Sequence, residues 1–168
     1  MARNFEIVLD VDAFIPPASN HADKGVLSIQ NRIFIAFDAS TVEAMYSKAL
    51  KMPEAYTGNG TLKADIFYIA ASATSGKFDF EICVEAITPL DATDLDASNS
   101  FDSINSQNKT VPGTAGYMDS MTVTLTNKDS VAAGDLFRIK LERDADDATD
   151  DTAAGDARVL NVVIYEER

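Results

Sequence analysis

The sequence predicts an all-β fold: an antiparallel two-sheet β-sandwich, jelly-roll-like, of about eight strands with long polar loops. Three observations predict it. First, two adjacent segments alternate apolar and polar residues almost without interruption. In residues 60–71, Leu62, Ala64, Ile66, Tyr68 and Ala70 share one parity; in 77–86, Phe78, Phe80, Ile82, Val84 and Ala86 do, opposite Lys77, Asp79, Glu81, Cys83 and Glu85. A period of two puts one set of side chains on each face of a strand, so each segment is expected to have one buried and one wet face. Second, the link 72–76 is short and ends in Gly76, which suits a hairpin between the two. Third, further short alternating segments follow one another between polar turns, the pattern of a sandwich.

The elements follow in chain order. Residues 4–10 alternate Phe5, Ile7 and Leu9 against Glu6 and Val8, a first strand that Pro16 and Pro17 close off from any central ladder. Residues 19–25 read as a polar loop, and 26–38, rich in Ile and Phe, as one bent strand or two short ones. In 40–52, Val42, Met45, Tyr46, Ala49 and Leu50 fall at helical spacing, with Thr41 before and Pro53 after. A short helix is favoured there, with an irregular strand as the alternative. Residues 88–112 form a long polar connection with a short strand near 108–111; such a length usually marks a functional or interface element. Strands are expected at 118–127 (Met121, Val123 and Leu125 inward), at 136–143 (Phe137, Ile139 and Leu141 inward) and at 158–166. Between the last two lies the acidic loop 144–156.

A chain of 168 residues without repeat or linker reads as a single domain spanning 1–168, with residues 1–17 set apart as an N-terminal arm. Cys83 is the lone cysteine, which excludes an internal disulfide. The opening residues show no secretory pattern and no run is long enough for a membrane span, so synthesis in the cytoplasm and no membrane partner are expected. The net charge of −13 argues against direct nucleic-acid binding, because carboxylates repel a phosphate backbone. That charge is concentrated: residues 89–156 hold 14 acids against 5 bases, and both long loops lie there.

No catalytic motif emerges, and neither catalytic nor cofactor-binding residues are assigned. The acidic loop supplies calcium candidates, Asp144, Asp146, Asp147, Asp150 and Asp151, because calcium takes clustered carboxylate oxygens; EF-hand spacing is not met. Asp91, Asp94 and Asp96 form a second, weaker acidic group. His21 and Cys83 lack partners for a zinc site or triad, and the plain reading of His21 is a surface side chain. Without Trp, a sugar-binding surface would have to use Tyr46, Tyr56, Tyr68, Tyr117 or Tyr165. Arg143 is expected to fork to a carboxylate of its own loop as architecture rather than chemistry.

A series of phrases carries a resemblance. Phe37-Asp38-Ala39-Ser40-Thr41 leads to Met52-Pro53 and Tyr56, then to Ala73-Thr74-Ser75-Gly76, Asp94-Leu95-Asp96, Gly113-Thr114-Ala115-Gly116, Arg143-Asp144-Ala145 and Thr152-Ala153-Ala154-Gly155-Asp156-Ala157. In this order the series resembles small β-sandwich virion structural proteins of tailed bacteriophages and prophages. The resemblance implies a non-enzymatic virion protein, above all a capsid decoration or cement protein. Its partners would be the major capsid protein or another virion protein, and its own copies in a trimer. The alternative is a tail- or fibre-associated glycan-binding module.

Overall fold

The computed structural model describes residues 2–97 and 99–168. Met1, at the start of the expected arm, and Ser98, in the long polar connection, lie outside the described residues. The strands are β1 (Arg3–Asp10), β2 (Phe14–Ile15), β3 (Asp23–Leu27), β4 (Arg32–Phe37), β5 (Glu43–Ser47), β6 (Leu50–Lys51), β7 (Thr61–Ala70), β8 (Lys77–Ile87), β9 (Asn105–Thr110), β10 (Met118–Thr124), β11 (Leu136–Arg143) and β12 (Ala157–Glu167). They form two six-stranded sheets, ordered β10-β7-β12-β4-β3 with β1 also on β12, and β2-β5-β11-β8-β9 with β6 also on β11. The expected antiparallel sandwich is present, with more strands than foreseen because several are only two to six residues long.

Alternation explains the core. Phe137, Ile139 and Leu141 of β11 are buried, as are Met121 and Val123 of β10 and Leu125 just beyond it. Across the midplane, Tyr68 of β7 meets Phe78 and Phe80 of β8 with ring centroids 5.7 and 5.8 Å apart, and Phe37 of β4 meets Phe80 at 5.9 Å. These edge-on and tilted contacts join the two sheets.

Those same contacts overturn the hairpin. β7 and β8 lie in opposite sheets: β7 pairs with β10 and β12, β8 with β11 and β9. Their apolar parities face each other through the core, so the link 72–76 is an arch between sheets. Gly76 sits in it at φ +87°, where a Cβ would come within 2.6 Å of the Thr152 carbonyl oxygen. Only glycine combines that conformation with that approach.

Other expectations also change. The helical stripe at 42–50 is realised as β5 and β6, both laid on β11. Met45 points into the core while Tyr46 faces out, and sheet pairing overrides the helical period. The stretch 26–38 resolves into the hairpin of β3 and β4, with β3 beginning inside the expected polar loop. Residues 3–15, expected within an arm, are built into both sheets: β1 pairs with β12 and β2 with β5. Finally, the polar parity of β8 is not wet. Asp79, Cys83 and Glu85 are 5%, 4% and 4% exposed, because neighbouring loops fold over them.

Candidate functional site

The outer face of the second sheet carries the most developed surface feature. Register places Glu85 of β8 opposite Arg138 of β11, and Tyr46 of β5 opposite Lys140. The connection after β8 returns over this face. Its Ser100 N–H donates to Glu85 Oε1 at 2.7 Å and its Asp102 N–H to the Val84 carbonyl at 2.8 Å. Arg138 donates through Nε to Glu85 and through Nη2 to Asn99 Oδ1 at 2.8 Å. Phe101 covers the Arg138 guanidinium at 4.9 Å and packs on Tyr46 at 5.6 Å between centroids. Burial pushes the Glu85 carboxyl up, but the bonds from Arg138 and Ser100 outweigh it and hold the group below its ordinary value.

Beside this loop the face stays open. A depression of about 220 Å³ is lined by Ile15, Glu85, Leu95, Leu136 and Arg138 among others. A second one shares Ile15, Ser47 and Arg138 with it and adds Tyr46, Pro16, Pro17 and Asn99. Together they make one groove with an apolar floor, an aromatic edge and fixed polar groups. Of the five tyrosines, Tyr56, Tyr68 and Tyr165 are buried and Tyr117 is exposed elsewhere; Tyr46 alone lines this groove.

The acidic loop divides. Asp144 and Asp147 converge with Asp79 of β8, one carboxylate oxygen from each lying within 4.8 Å of the other two. Asp151 instead forms a doubly bonded ion pair with Arg143, at 2.8 and 2.7 Å, as expected of that arginine. Asp150 lies 3.5 Å from the Lys77 ammonium, and Asp146 is exposed. Burial, then the charges of Asp150 and Asp147, raise the Asp79 carboxyl to about 6. Burial and Asp146 raise Asp144 to about 6. Burial, with Asp144 and Glu142 beside it, raises neighbouring Glu81 to about 7. Asp147 runs the other way, held low by the backbone N–H groups of Thr149 and Asp150.

Asp79 was not among the sequence candidates. Its signal was a carboxylate on the polar parity of a strand, which alternation assigned to solvent. The second acidic group gains nothing from the fold: Asp91, Asp94 and Asp96 are exposed and follow the opposite end of β8. His21 is half-exposed in a loop, with Nδ1 3.4 Å from the Ala22 carbonyl. Burial raises the Cys83 thiol above its ordinary value, which disfavours the nucleophilic thiolate.

No protein-family model matches the chain, and no curated protein matches it in sequence. Solved structures do match in fold. The C-terminal CBM6 of LamC, a marine laminarinase from Zobellia galactanivorans, superposes with a TM-score of 0.51 at 11% identity, covering 96% of this chain and 100% of that one. CsCBM6-3 from Clostridium stercorarium, in complex with cellobiose, gives 0.53 at 10% identity, with 96% and 94% covered. The family 11 carbohydrate-binding module from Clostridium thermocellum, in complex with a β-1,3-1,4-mixed-linked tetrasaccharide, gives 0.52 at 10%, with 95% and 94% covered. The chain has the jelly-roll sandwich fold of carbohydrate-binding modules. At these identities the likeness is one of fold. Nothing in it links the chain to virion proteins.

Proposed function

We propose that this protein is a non-catalytic glycan-binding module whose site is the groove on the outer face of the second sheet. The observation that carries the reading is the juxtaposition there of the Tyr46 ring with the Glu85–Arg138–Asn99 array. A sugar ring presents C–H groups to an aromatic face and hydroxyls to planar donors and acceptors, and this groove offers both. The array is held by Ser100 and Phe101, so its geometry exists before a ligand arrives. The jelly-roll neighbours bound to cellobiose or a mixed-linked tetrasaccharide lend the fold-level support. This is the alternative reading of the sequence. The capsid-decoration reading keeps only its ordered phrases as support, and no feature of the groove favours it.

Affinity electrophoresis against soluble β-glucans, xylan, mannan and bacterial surface polysaccharides tests the proposal. At least one polysaccharide is expected to retard the protein. Tyr46→Ala and Arg138→Ala are expected to weaken that retardation at least about tenfold while melting remains cooperative. No retardation by any polysaccharide, or undiminished retardation of both variants, would sink the groove as the site.

A further inference from the structure

The loop between β11 and β12 meets the start of β8 at a point the groove does not use. There Asp79 is 5% exposed, yet among the described residues its Oδ1 has no hydrogen-bond partner. A buried, unpaired carboxylate oxygen is costly, and folds rarely keep one without a partner. Its backbone is fully engaged: the N–H donates to Asp151 Oδ2 at 3.0 Å and the carbonyl accepts from the Asp144 N–H at 3.2 Å. The side chain is thus directed by a rigid frame toward Asp144 and Asp147, within 4.8 Å. Three carboxylates converge there, and among the described residues the Lys77 ammonium makes its ion pair with Asp150 rather than with any of the three.

We propose that Asp79, Asp144 and Asp147 form a calcium site that pins the β11–β12 loop to strand β8. The donor set is all carboxylate oxygen, without nitrogen or sulfur, which selects a hard cation over zinc or copper. Calcium is favoured over magnesium because it accepts irregular sets of carboxylate oxygens in flexible geometry, whereas magnesium demands a near-ideal octahedron and keeps most of its waters. The three carboxylates leave coordination positions for water. The loop is already shaped for the ion. The Asp147 N–H bonds the Asp144 carbonyl at 3.2 Å, the Asp151 N–H bonds the Asp147 carbonyl at 2.9 Å, and the buried Arg143–Asp151 pair anchors the loop's far end. Two of these three residues are among the five calcium candidates of the sequence; the fold adds the third from a strand 65 positions upstream of Asp144.

The test uses the full chain, stripped with chelator and titrated with calcium chloride, by calorimetry and by melting. One ion per chain is expected, with a rise in Tm of about 5–10 °C once calcium exceeds its Kd about a hundredfold. Magnesium should give a smaller shift. Asp79→Asn and Asp144→Asn should each abolish the response, whereas Asp91→Asn, in the exposed acidic group, should keep it. Asp144 is the less buried ligand, so its variant reads out even if Asp79→Asn folds poorly. No heat and no shift at about 10 mM calcium, an equal response to magnesium, or a full response in Asp144→Asn would each overturn the site.

Discussion

Glu166 and Asp79 are both buried carboxylates on strands of this sandwich, and they sit in opposite circumstances. Glu166, on β12, is fully enclosed and accepts bonds from Asn4 Nδ2, from the Thr57 N–H at 3.0 Å, from the Thr57 hydroxyl at 2.9 Å and from the Gly60 N–H at 3.0 Å. Burial would raise its pKa, but these donors carry it down to about 2. Gly60 is glycine because a Cβ there would run into the Glu167 carbonyl and the Glu166 side chain. Asp79 is nearly as enclosed, yet it faces other carboxylates and is raised to about 6. Burial alone does not determine what a carboxylate does. The donors do: one region is complete within the chain, while the other is arranged to receive a positive charge from outside it.

The largest effect should come from the pair that frames the second region. Arg143 is fully buried. It bonds both oxygens of Asp151 and donates to the carbonyls of Asp38 at 3.0 Å, Gly155 at 2.9 Å and Ala153 at 3.1 Å, with its guanidinium 4.5 Å over Phe78. Arg143→Met keeps much of the volume but strands a buried aspartate and these carbonyls. A cost of about 3–5 kcal/mol is expected in urea denaturation, a large share of a typical domain's stability of about 5–15 kcal/mol. A loss below about 1 kcal/mol would mean that Asp151 is solvated when the arginine goes, and the frame would no longer distinguish this loop from an ordinary surface one.

Much of this was legible in the sequence, and the limits are physical. Alternation reported faces: the inward residues of β11 and β10, and of β7 and β8, are those the period selects. It carries no information about partners, so the arch at 72–76 read as a hairpin. At 42–50 the apolar residues satisfy a helical period, and only the edge presented by β11 decides for strand. The groove was hidden for a related reason. Its polar side chains come from separate strands and a long loop, and nothing in their local order announces that Glu85, Arg138 and Asn99 meet. The acidic loop was conspicuous as composition, yet Asp151 belongs to architecture and Asp79 comes from elsewhere.

An intermediate effect should come from Glu166. Glu166→Gln places an amide donor against the donors of Thr57 and Gly60, and a loss of about 1–3 kcal/mol is expected. The pH dependence follows from the lowered pKa. The folded state holds the ionised form more tightly than the unfolded chain, so this contribution is complete above the ordinary value of 4.5 and is lost as pH falls toward about 2. Melting curves of the two proteins should therefore differ at neutral pH and converge on acidification through that window. A constant difference would show that the cradle acts through packing rather than charge.

The smallest effect, and the one of opposite sign, belongs to Asp79 in calcium-free protein. Asp79→Asn removes a charge that Lys77 offsets less than burial and the neighbouring carboxylates oppose it, while leaving the backbone bonds to Asp151 and Asp144 available. The repulsion from Asp144, Asp147 and Asp150 falls, and the new amide can donate to one of them. Stability in chelator should rise, by about 1–3 °C in Tm, although the same change at Glu166 lowers it. The sign is the informative quantity. A fall as large as that of Glu166→Gln would mean that the Asp79 carboxylate is already satisfied within the chain. A rise means that the fold tolerates an unfavourable charge at this position, as expected where a cation completes the structure.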